Sequence, residues 1–368
     1  MNSAPAIRAM IVDDSATIRS LIARAFEGQS DIKVVATAAN GELAVAALKR
    51  EPVDVVILDI EMPVMDGLTA IPLLKAVDPA VQIVMASTLT QKNAEVSLKA
   101  MSLGATDYIP KPSADQMIST AAQSFNAELT DKVRVLGALA RRKGVRMPAG
   151  AVVISSPSLS KEAKKFALRP MPSFKPDIIA IGSSTGGPQA LYEVIKAMGK
   201  DLPQPVVLTQ HMPATFTKIL AEHITRQCGV LCKEGEDTDL IKSGHYYLAP
   251  GDFHLQVVKK SEGIGIKLSK APPENFCRPA VDPMLRSVVE VYGKRVLSVI
   301  LTGMGQDGCK GCDAVVAAGG AVYAQDEASS VIWGMPGAVA NAGLCSSVLP
   351  LSEIGKAVRQ LAVGGRST

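Results

Sequence analysis

The chain has 368 residues, of which 47% are hydrophobic and 4% aromatic, and its net charge at pH 7 is +4. This length supports two domains with full cores, and a composition rich in Ala, Val, Ile and Leu favours an α/β protein over a disordered or fibrous one. No window has the length and apolarity of a membrane span, and no signal peptide precedes the first charged residues. We therefore expect a soluble, cytoplasmic protein without membrane insertion.

The charge is distributed unevenly along the chain. Residues 1–128 carry a net charge of −5, residues 129–176 carry +9, and residues 177–368 are neutral. The middle segment is rich in Lys, Arg, Ser and Pro and poor in acids, which predicts a flexible linker between two domains. Its charge could contact nucleic acid or an acidic surface, but a solvated tether is the favoured interpretation.

Residues 1–128 alternate strand and helix patterns. The first helix pattern has Ser15 in the position of an N-cap. Five such βα repeats predict a parallel, doubly wound sheet whose ligands bind at the carboxyl ends of the strands. The predicted strands are the apolar runs at 7–12, 32–36, 53–59, 81–88 and 107–112.

Polar side chains follow these strands at the points where the strands end. Asp13 and Asp14 follow the first strand, Asp59 ends the third, Ser87 the fourth, and Lys111 lies at the end of the fifth. Three converging carboxylates repel each other unless a cation joins them, and oxygen ligands suit Mg²⁺. The arrangement predicts a metal-assisted site in which one carboxylate attacks a phosphoryl group.

Residues 177–368 contain three further strand patterns that end in reactive side chains. The run "DIIAIG" leads to Ser183 and Ser184, "PVVLTQ" leads to His211, and "RVLSVILTGMGQ" leads to Asp307. A helix pattern follows each run, the last one over 308–318. We therefore predict a second doubly wound, mostly parallel α/β domain with all three ends on one edge of its sheet.

The glycine-rich turn after the first of these strands favours a nucleophile. Gly182 to Gly186 fits the G-x-S-x-G pattern of a sharp strand-to-helix turn, which selects Ser184 over Ser183. The Walker phosphate pattern does not fit, since it requires a lysine that this turn lacks, and the Rossmann pattern does not fit either.

The chain offers four histidines as a base for Ser184. His211 is the one at a parallel-strand end, whereas His223 lies in a helix pattern. His245 and His254 lie in a hairpin-like stretch that could flank a cleft. Asp307 is in the position to orient His211, and the chain order Ser, His, Asp differs from that of α/β-hydrolases.

All six cysteines fall in the second half of the chain. Cys309 and Cys312 form a C-x-x-C pair, which could be redox-active or half of a zinc site. The other possible half, Cys228 and Cys232, is distant in sequence. Reduced, buried thiols are the favoured interpretation.

The N-terminal motifs "VDDS", "LDIEMPVMDG", "MAST" and "YIPKP" resemble the receiver domain of two-component response regulators, which has a flavodoxin-like fold. The resemblance implies that Asp59 is the phosphoacceptor, that Mg²⁺ is the cofactor, and that a chemotaxis histidine kinase donates the phosphoryl group. It also implies a cis Lys111–Pro112 bond. The implied metal site comprises Asp13, Asp14, Asp59 and a backbone carbonyl near Glu61, and the implied phosphoryl-binding and switch residues are Ser87, Lys111 and Tyr108.

The C-terminal motifs "AIGSSTGGP", "QHMP", "YLAPGDFHL", "RPAVDP", "LTGMGQDG" and "WGMPGA" resemble the catalytic domain of chemotaxis-specific methylesterases, the CheB family. The resemblance implies a serine hydrolase without a metal in this half, acting on glutamate methyl esters, and on glutamines, of methyl-accepting chemotaxis receptors. The implied site comprises the nucleophile Ser184, the base His211, its orienting acid Asp307, and the oxyanion donors Met304 and Thr185. Cys277 stands where the family often has a polar residue or histidine.

The predicted organisation is a receiver at 1–128, a linker at 129–176 and a methylesterase domain at 177–368. Phosphorylation of Asp59 is expected to relieve inhibition of the second domain by the first. Two other kinds of output domain are less consistent with the sequence. A DNA-binding output would require a basic effector domain, whereas residues 177–368 are neutral. A pure adaptor would make Ser184→Ala silent in any hydrolytic assay.

Overall fold

The computed structural model of the chain divides into two compact units, residues 1–165 and residues 166–368. Each unit has its own sheet and its own core. The residues that the structure describes are 5–88, 90–111, 120–144, 166–171 and 173–364.

The first unit alternates strands and helices throughout its described residues. Its elements are β1 (Ile7–Val12), α1 (Ala16–Ala25), β2 (Ile32–Ala38), α2 (Gly41–Arg50), β3 (Val55–Asp59), α3 (Gly67–Val77), β4 (Gln82–Ser87), α4 (Gln91–Ser102), β5 (Asp107–Pro110) and α5 (Thr120–Gly144).

The first sheet has the strand order β2-β1-β3-β4-β5, with every neighbouring pair parallel. This confirms the predicted flavodoxin-like fold. Strands β1, β3 and β4 are almost wholly buried, because helices cover both faces of a doubly wound sheet. The predicted N-cap is also present, since the Ser15 hydroxyl accepts a hydrogen bond from the Ile18 N–H at 3.4 Å.

The end of the first unit differs from the prediction. Residues 129–144, which the charge pattern assigns to the linker, belong to α5. Leu129, Val133 and Leu136 on this helix are fully buried. Gly137 lies so close to β1 that an added Cβ would be 2.4 Å from the Ile7 side chain. The helical part of the first unit therefore extends to Gly144, while residues 145–165 and the predicted cis Lys111–Pro112 bond lie outside the described residues.

The second unit is larger and contains a second βα series. Its elements are β6 (Ile178–Ser183), α6 (Gly187–Met198), β7 (Val206–Gln210), α7 (Ala214–Cys228), β8 (Leu231–Glu234), β9 (His245–Leu248), β10 (His254–Lys260), β11 (Gly263–Ser269), α8 (Val281–Tyr292), β12 (Val296–Ile300), α9 (Cys309–Ala317), β13 (Ala321–Gln325), α10 (Met335–Asn341), β14 (Ser347–Leu349) and α11 (Leu351–Val363).

The second sheet has the order β14-β13-β12-β6-β7-β9-β8 and is parallel throughout, which confirms the predicted architecture. The central strand β6 lies between β7 and β12, so the three predicted site segments leave the same edge of the sheet on adjacent strands. The expected hairpin over His245 and His254 is wrong. Strand β9 joins the parallel sheet, and β10 pairs instead with β11 in a separate antiparallel ribbon.

The Cys309 and Cys312 pair packs against neighbouring elements of the second unit. Cys312 is fully buried and its Sγ lies 3.5 Å from the Ser298 hydroxyl, while the Cys309 thiol approaches the Ala338 carbonyl. Burial raises the pKa of both thiols, which opposes the thiolate form that metal binding and redox exchange require. Within the described residues the cysteines are free thiols and form no metal-binding cluster.

Across the described part of the chain, no helix combines the length and apolarity needed to cross a membrane.

Candidate functional site

The two serines in the turn between β6 and α6 differ in burial and in hydrogen bonding. Ser183 is fully buried, and its hydroxyl donates to the Gln210 Oε1 at 2.7 Å. Ser184 is half-buried, and three hydrogen bonds fix its backbone. Its N–H donates to the Thr302 carbonyl at 3.0 Å, and its carbonyl accepts the Gly187 N–H at 2.8 Å and the Gln210 Nε2 at 2.9 Å. The Ser184 hydroxyl is therefore the one that a rigid backbone presents at the sheet edge.

Glycines permit this turn for two different reasons. Gly186 has a φ of 77°, in the left-handed region that other residues adopt only with strain. Gly187 has no room for a side chain, since an added Cβ would lie 1.9 Å from the Gln210 Oε1. The same glutamine thus holds both serines and lies against the start of α6.

His211 and Asp307 form a hydrogen-bonded pair beside this turn. His211 follows β7 and its backbone N–H donates to the Ser183 carbonyl at 3.1 Å, which ties it to the serine turn. Its Nε2 lies 2.7 Å from the Asp307 Oδ2, and Asp307 is 1% exposed. The three predicted residues Ser184, His211 and Asp307 therefore leave three adjacent strands at one edge of the sheet.

Asp307 is held as a carboxylate by donors from several elements. It accepts the backbone N–H groups of Val281 at 2.6 Å, Asp282 at 3.1 Å and Gly308 at 2.9 Å, as well as the Asn275 Nδ2 at 2.9 Å. Burial raises the pKa of Asp307, but the His211 contact and these backbone donors outweigh it and hold the pKa below its usual value. An ionised carboxylate only accepts hydrogen bonds, so the His211 Nε2 carries the proton.

The second ring nitrogen of His211 has a different partner. Its Nδ1 lies 3.3 Å from the Cys277 Sγ. Burial lowers the pKa of His211, but Cys277 and Asp307 together outweigh it and raise the pKa to about 10. With Nε2 on Asp307, Nδ1 is the nitrogen that faces Cys277, and it must be unprotonated before it can take a proton from Ser184.

The candidate oxyanion donors lie in loops against Ser184. An added Cβ on Gly303 would be 2.8 Å from the Ser184 Cβ, so the loop that carries Met304 lies directly against the turn that carries Ser184. The Gly303 carbonyl accepts the N–H groups of Gly334 and Met335, which fixes this loop. Thr185, which directly follows Ser184, is held by a different contact, since its carbonyl accepts the Thr302 hydroxyl at 2.9 Å. Both Met304 and Thr185 are therefore in fixed backbone next to Ser184.

The other histidines are placed away from this chemistry by their own contacts. His254 is buried, its Nδ1 accepts the Ala280 N–H at 3.1 Å, and its Nε2 donates to the Pro272 carbonyl at 3.1 Å. His245 contacts the Ser243 carbonyl at 3.0 Å, and His223 lies in α7. His254 thus supports the loop before α8, and His211 is the histidine paired with Asp307.

In the first unit, the three predicted carboxylates converge. Oxygen atoms of Asp13, Asp14 and Asp59 all lie within 4.8 Å of one another. The Lys111 Nζ bridges two of them, at 2.5 Å from the Asp13 Oδ2 and 2.7 Å from the Asp59 Oδ1. A cluster of carboxylate oxygens with one partly exposed and one exposed member fits a hydrated divalent cation such as Mg²⁺.

Asp59 has the environment of a carboxylate that needs a cation. The pKa of Asp59 is raised above its usual value. Burial is the largest cause, and the negative charge of Asp13 adds to it, while the positive charge of Lys111 opposes both. Its Oδ1 also accepts the Ile60 N–H at 2.8 Å, which orients the carboxylate. A neighbouring cation therefore favours the ionised, nucleophilic form.

Ser87 and Tyr108 lie on neighbouring strands of the first sheet. Ser87 ends β4, and its hydroxyl lies 3.2 Å from that of Ser97. Tyr108 is buried on β5, and this burial raises the pKa of its hydroxyl. Glu61 is different, because its exposed carboxylate pairs with the Lys92 Nζ at 2.7 Å. The Glu61 side chain is thus outside the carboxylate cluster.

Two families match this chain. The family described as CheB methylesterase matches residues 179–358, and the response regulator receiver domain matches residues 9–123. The protein-glutamate methylesterase/protein-glutamine glutaminase of the group 2 operon of Rhodospirillum centenum is 56% identical over 96% of this chain and 94% of its own. The chain belongs to the CheB methylesterase family.

Other CheB proteins are similar over one or both units. The protein-glutamate methylesterase/protein-glutamine glutaminase of Azospirillum brasilense is 56% identical over 97% of this chain and 93% of its own. The crystal structure of the Thermotoga maritima CheB methylesterase catalytic domain is 41% identical and covers 51% of this chain and 99% of that chain, with a TM-score of 0.49. The family resemblance predicted from the motifs is confirmed over the length of the chain.

Sequence reasoning missed three polar residues that shape the CheB site of this chain. Gln210 holds both serines, and Asn275 donates to Asp307 at 2.9 Å and to Asp282 at 3.0 Å. Asp282 is buried, and its Oδ1 accepts the Gly311 N–H at 2.7 Å. The motifs "QHMP" and "VDP" contain Gln210 and Asp282, but no spacing rule assigns these side chains an inward direction.

Proposed function

We propose that this chain is a phosphorylation-controlled serine hydrolase that demethylates glutamate methyl esters of methyl-accepting chemotaxis receptors. The observation that carries the proposal is the 2.7 Å pair of His211 and Asp307 beside the rigid turn that presents Ser184. Such a pair supplies what a serine lacks by itself, a base with a fixed tautomer and a stabilised cationic form. Membership in the CheB family supports the ester substrate.

The reaction begins with proton transfer within this site. His211 Nδ1 takes the Ser184 Oγ proton while Nε2 keeps its proton on Asp307, and Oγ attacks the ester carbonyl. The backbone N–H groups of Met304 and Thr185 would donate to the oxyanion. The proton on Nδ1 then passes to the leaving methoxide, so that methanol departs and an acyl-serine remains.

Hydrolysis of the acyl-serine repeats the sequence with water as the nucleophile. His211 takes a proton from the water, hydroxide attacks the acyl carbon, and the proton returns to the Ser184 Oγ. The product is a free glutamate. A glutamine side chain can follow the same steps with ammonia as the leaving group, which supports a second activity as a protein-glutamine glutaminase.

The proposed activity is tested with a purified cytoplasmic fragment of a methylated chemoreceptor. We expect the full chain to release methanol from this fragment and none from the same fragment before methylation. A third fragment with glutamine at the modified positions is expected to release ammonia. If the methylated fragment releases no methanol while the Asp59 of the enzyme is shown to be phosphorylated, the esterase proposal is wrong.

The first unit supplies the control of this activity. Asp13, Asp14 and Asp59 would hold Mg²⁺, which neutralises charge on a phosphoryl donor when bound. Asp59 would accept the phosphoryl group from a chemotaxis histidine kinase, and Lys111 and Ser87 would then bind its oxygens. The added charge is expected to change the surroundings of Ser87 and Tyr108.

Asp59→Asn is expected to remove this control. Wild-type methanol release should rise when acetyl phosphate and Mg²⁺ are added, whereas the variant should keep its basal rate and show no rise. The amide cannot form the acyl phosphate, and it is almost the same size as the carboxylate. The rates of both proteins with and without acetyl phosphate test this point. Equal stimulation of the variant would show that Asp59 is not the phosphoacceptor.

A further inference from the structure

A two-residue turn places three consecutive side chains in three directions at the edge of the candidate site. Glu274 and Cys277 exchange backbone hydrogen bonds of 2.9 and 3.1 Å across the turn. The residues between them, Asn275 and Phe276, have φ angles of 51° and 64°. Two left-handed residues in succession make a hairpin turn that normally carries Asn-Gly. The turn therefore has a strict local geometry.

This turn is tied to the His–Asp pair at two points. The Asn275 amide donates to Asp307 and to Asp282, both of which are buried, so it bridges two carboxylates. Phe276 faces solvent and is fully exposed. The Cys277 thiol, by contrast, lies 3.3 Å from the His211 Nδ1. The turn thus touches His211 directly, and touches the acid that orients it.

The Cys277 contact occupies the atom that catalysis needs. Since Nε2 is bonded to Asp307, Nδ1 is the ring nitrogen that faces Cys277, and one proton is shared between Nδ1 and Sγ across the 3.3 Å contact. Ser184 must deliver its proton to the same nitrogen. A thiol is a weaker hydrogen-bond donor than a hydroxyl, so a serine oriented by bound substrate can displace it.

We propose that Cys277 is a positioning residue that holds the His211 Nδ1 in the resting enzyme and gives it up to Ser184 when substrate binds. This inference rests on the proposed function, because it assigns Nδ1 as the base of the esterase. To the proposed function it adds a competition between the Cys277 thiol and the Ser184 hydroxyl for the His211 Nδ1.

The charges around His211 give the expected direction of the effect. Asp307 faces Nε2, Cys277 faces Nδ1, and Asp282 of α8 acts through Asn275 on Asp307. Arg286, also on α8, pairs with Glu274 of the turn at 2.5 Å. Cys277 and Asp307 are the two groups that raise the pKa of His211, and Cys277 does so first by its charge, which favours the shared proton on Nδ1. Removing Cys277 leaves only Asp307 to do so, and a larger fraction of His211 is then neutral at pH 7.

The test is the pH profile of kcat/KM for methanol release by the full chain. Cys277→Ala should move the apparent pKa of the base downward by about one unit or more, which raises kcat/KM about tenfold at pH values below it. Cys277→Ser should show the lower pKa but a smaller rate than Cys277→Ala, because its hydroxyl still competes for Nδ1 without ionising. Cys232→Ala, a half-buried thiol at the far edge of the sheet, should match the wild type.

The possible outcomes separate this inference from the proposed function. Uniformly lower rates in both Cys277 variants without a shift of the pH profile would mean that the thiol only packs, and would overturn the inference. Ser184→Ala, measured in parallel, should abolish methanol release whichever profile is found. If Ser184→Ala is active and Cys277→Ala is not, then Cys277 is the nucleophile, and both the inference and the assignment of Ser184 are wrong.

Discussion

Ser184→Ala is expected to reduce methanol release from a methylated receptor fragment by about 10⁴-fold or more, as loss of a serine nucleophile does in other serine hydrolases. The methyl group of alanine fits the half-buried position of Ser184, and the three backbone hydrogen bonds of the residue are kept. The variant should therefore fold normally. Rates measured at saturating substrate and a thermal unfolding curve separate the loss of chemistry from a loss of structure.

Ser183→Ala is the matched control, since it removes the same hydroxyl oxygen from the adjacent residue. Loss of the Ser183 hydroxyl leaves the buried Gln210 Oε1 without its 2.7 Å donor, which costs about 1–3 kcal/mol of unfolding free energy. We expect a lower Tm for Ser183→Ala and a rate that remains measurable. If Ser183→Ala abolished methanol release while Ser184→Ala did not, the assignment of the nucleophile within this turn would be reversed.

Asp307→Asn is expected to reduce kcat by about 10⁴-fold, the loss seen when the acid of a catalytic triad is made neutral. The amide has the shape of the carboxylate, but it no longer stabilises the protonated His211 ring and it permits the wrong tautomer. The depressed pKa of Asp307 shows that the site favours its ionised form. The variant should also lower the pKa of His211, because one of the two groups that raise it is removed.

Asp313→Asn provides the control for this change. Asp313 lies on α9, six residues from Asp307, and is exposed, so the variant removes the same charge from the same region. Its kcat and pH profile should match those of the wild type. A drop in kcat of less than about tenfold for Asp307→Asn would mean that His211 does not depend on this carboxylate for its orientation.

The folds of both units could be predicted because the central strands of their parallel sheets are buried on both faces. Runs such as 7–12 and 178–183 are nearly continuous apolar segments, and each is followed by a turn and a helix pattern. That alternation leaves few topologies open, since the connection from one parallel strand through a helix to the next is right-handed. The position of Ser184, His211 and Asp307 at one edge follows from the same rule.

The start of the linker was predicted wrongly because a charge count does not show which acidic side chains pair with the basic ones. The basic residues Lys132, Arg134 and Arg141 gave the segment the composition of a solvated tether. In the structure they pair with acids of the first unit, at 2.7 Å to Asp107, 2.7 Å to Asp31 and 3.0 Å to Asp54 respectively. These charges therefore dock α5 onto its own unit. The apolar residues between them, at a helical spacing, were the signal that the charge count concealed.

The finer geometry of the candidate site depends on side-chain directions that no motif encodes. The sequence analysis named Cys277 only as an unusual residue, and its contact with the His211 Nδ1 depends on the φ angles of Asn275 and Phe276. Neither residue is a glycine, so no turn signature marks this left-handed pair. Asn275 was missed for the same reason, since its role requires Asp282 and Asp307 to be close in space.

The pairing of His211 with Asp307 joins residues 96 positions apart, and it depends on the order in which strands assemble. Strand β6 must pair with β7 on one side and with the much later β12 on the other before the two side chains can meet. Contacts of such long sequence separation form late and slowly in folding. During refolding, helical structure should therefore return before esterase activity does, and activity reports the completion of the whole sheet.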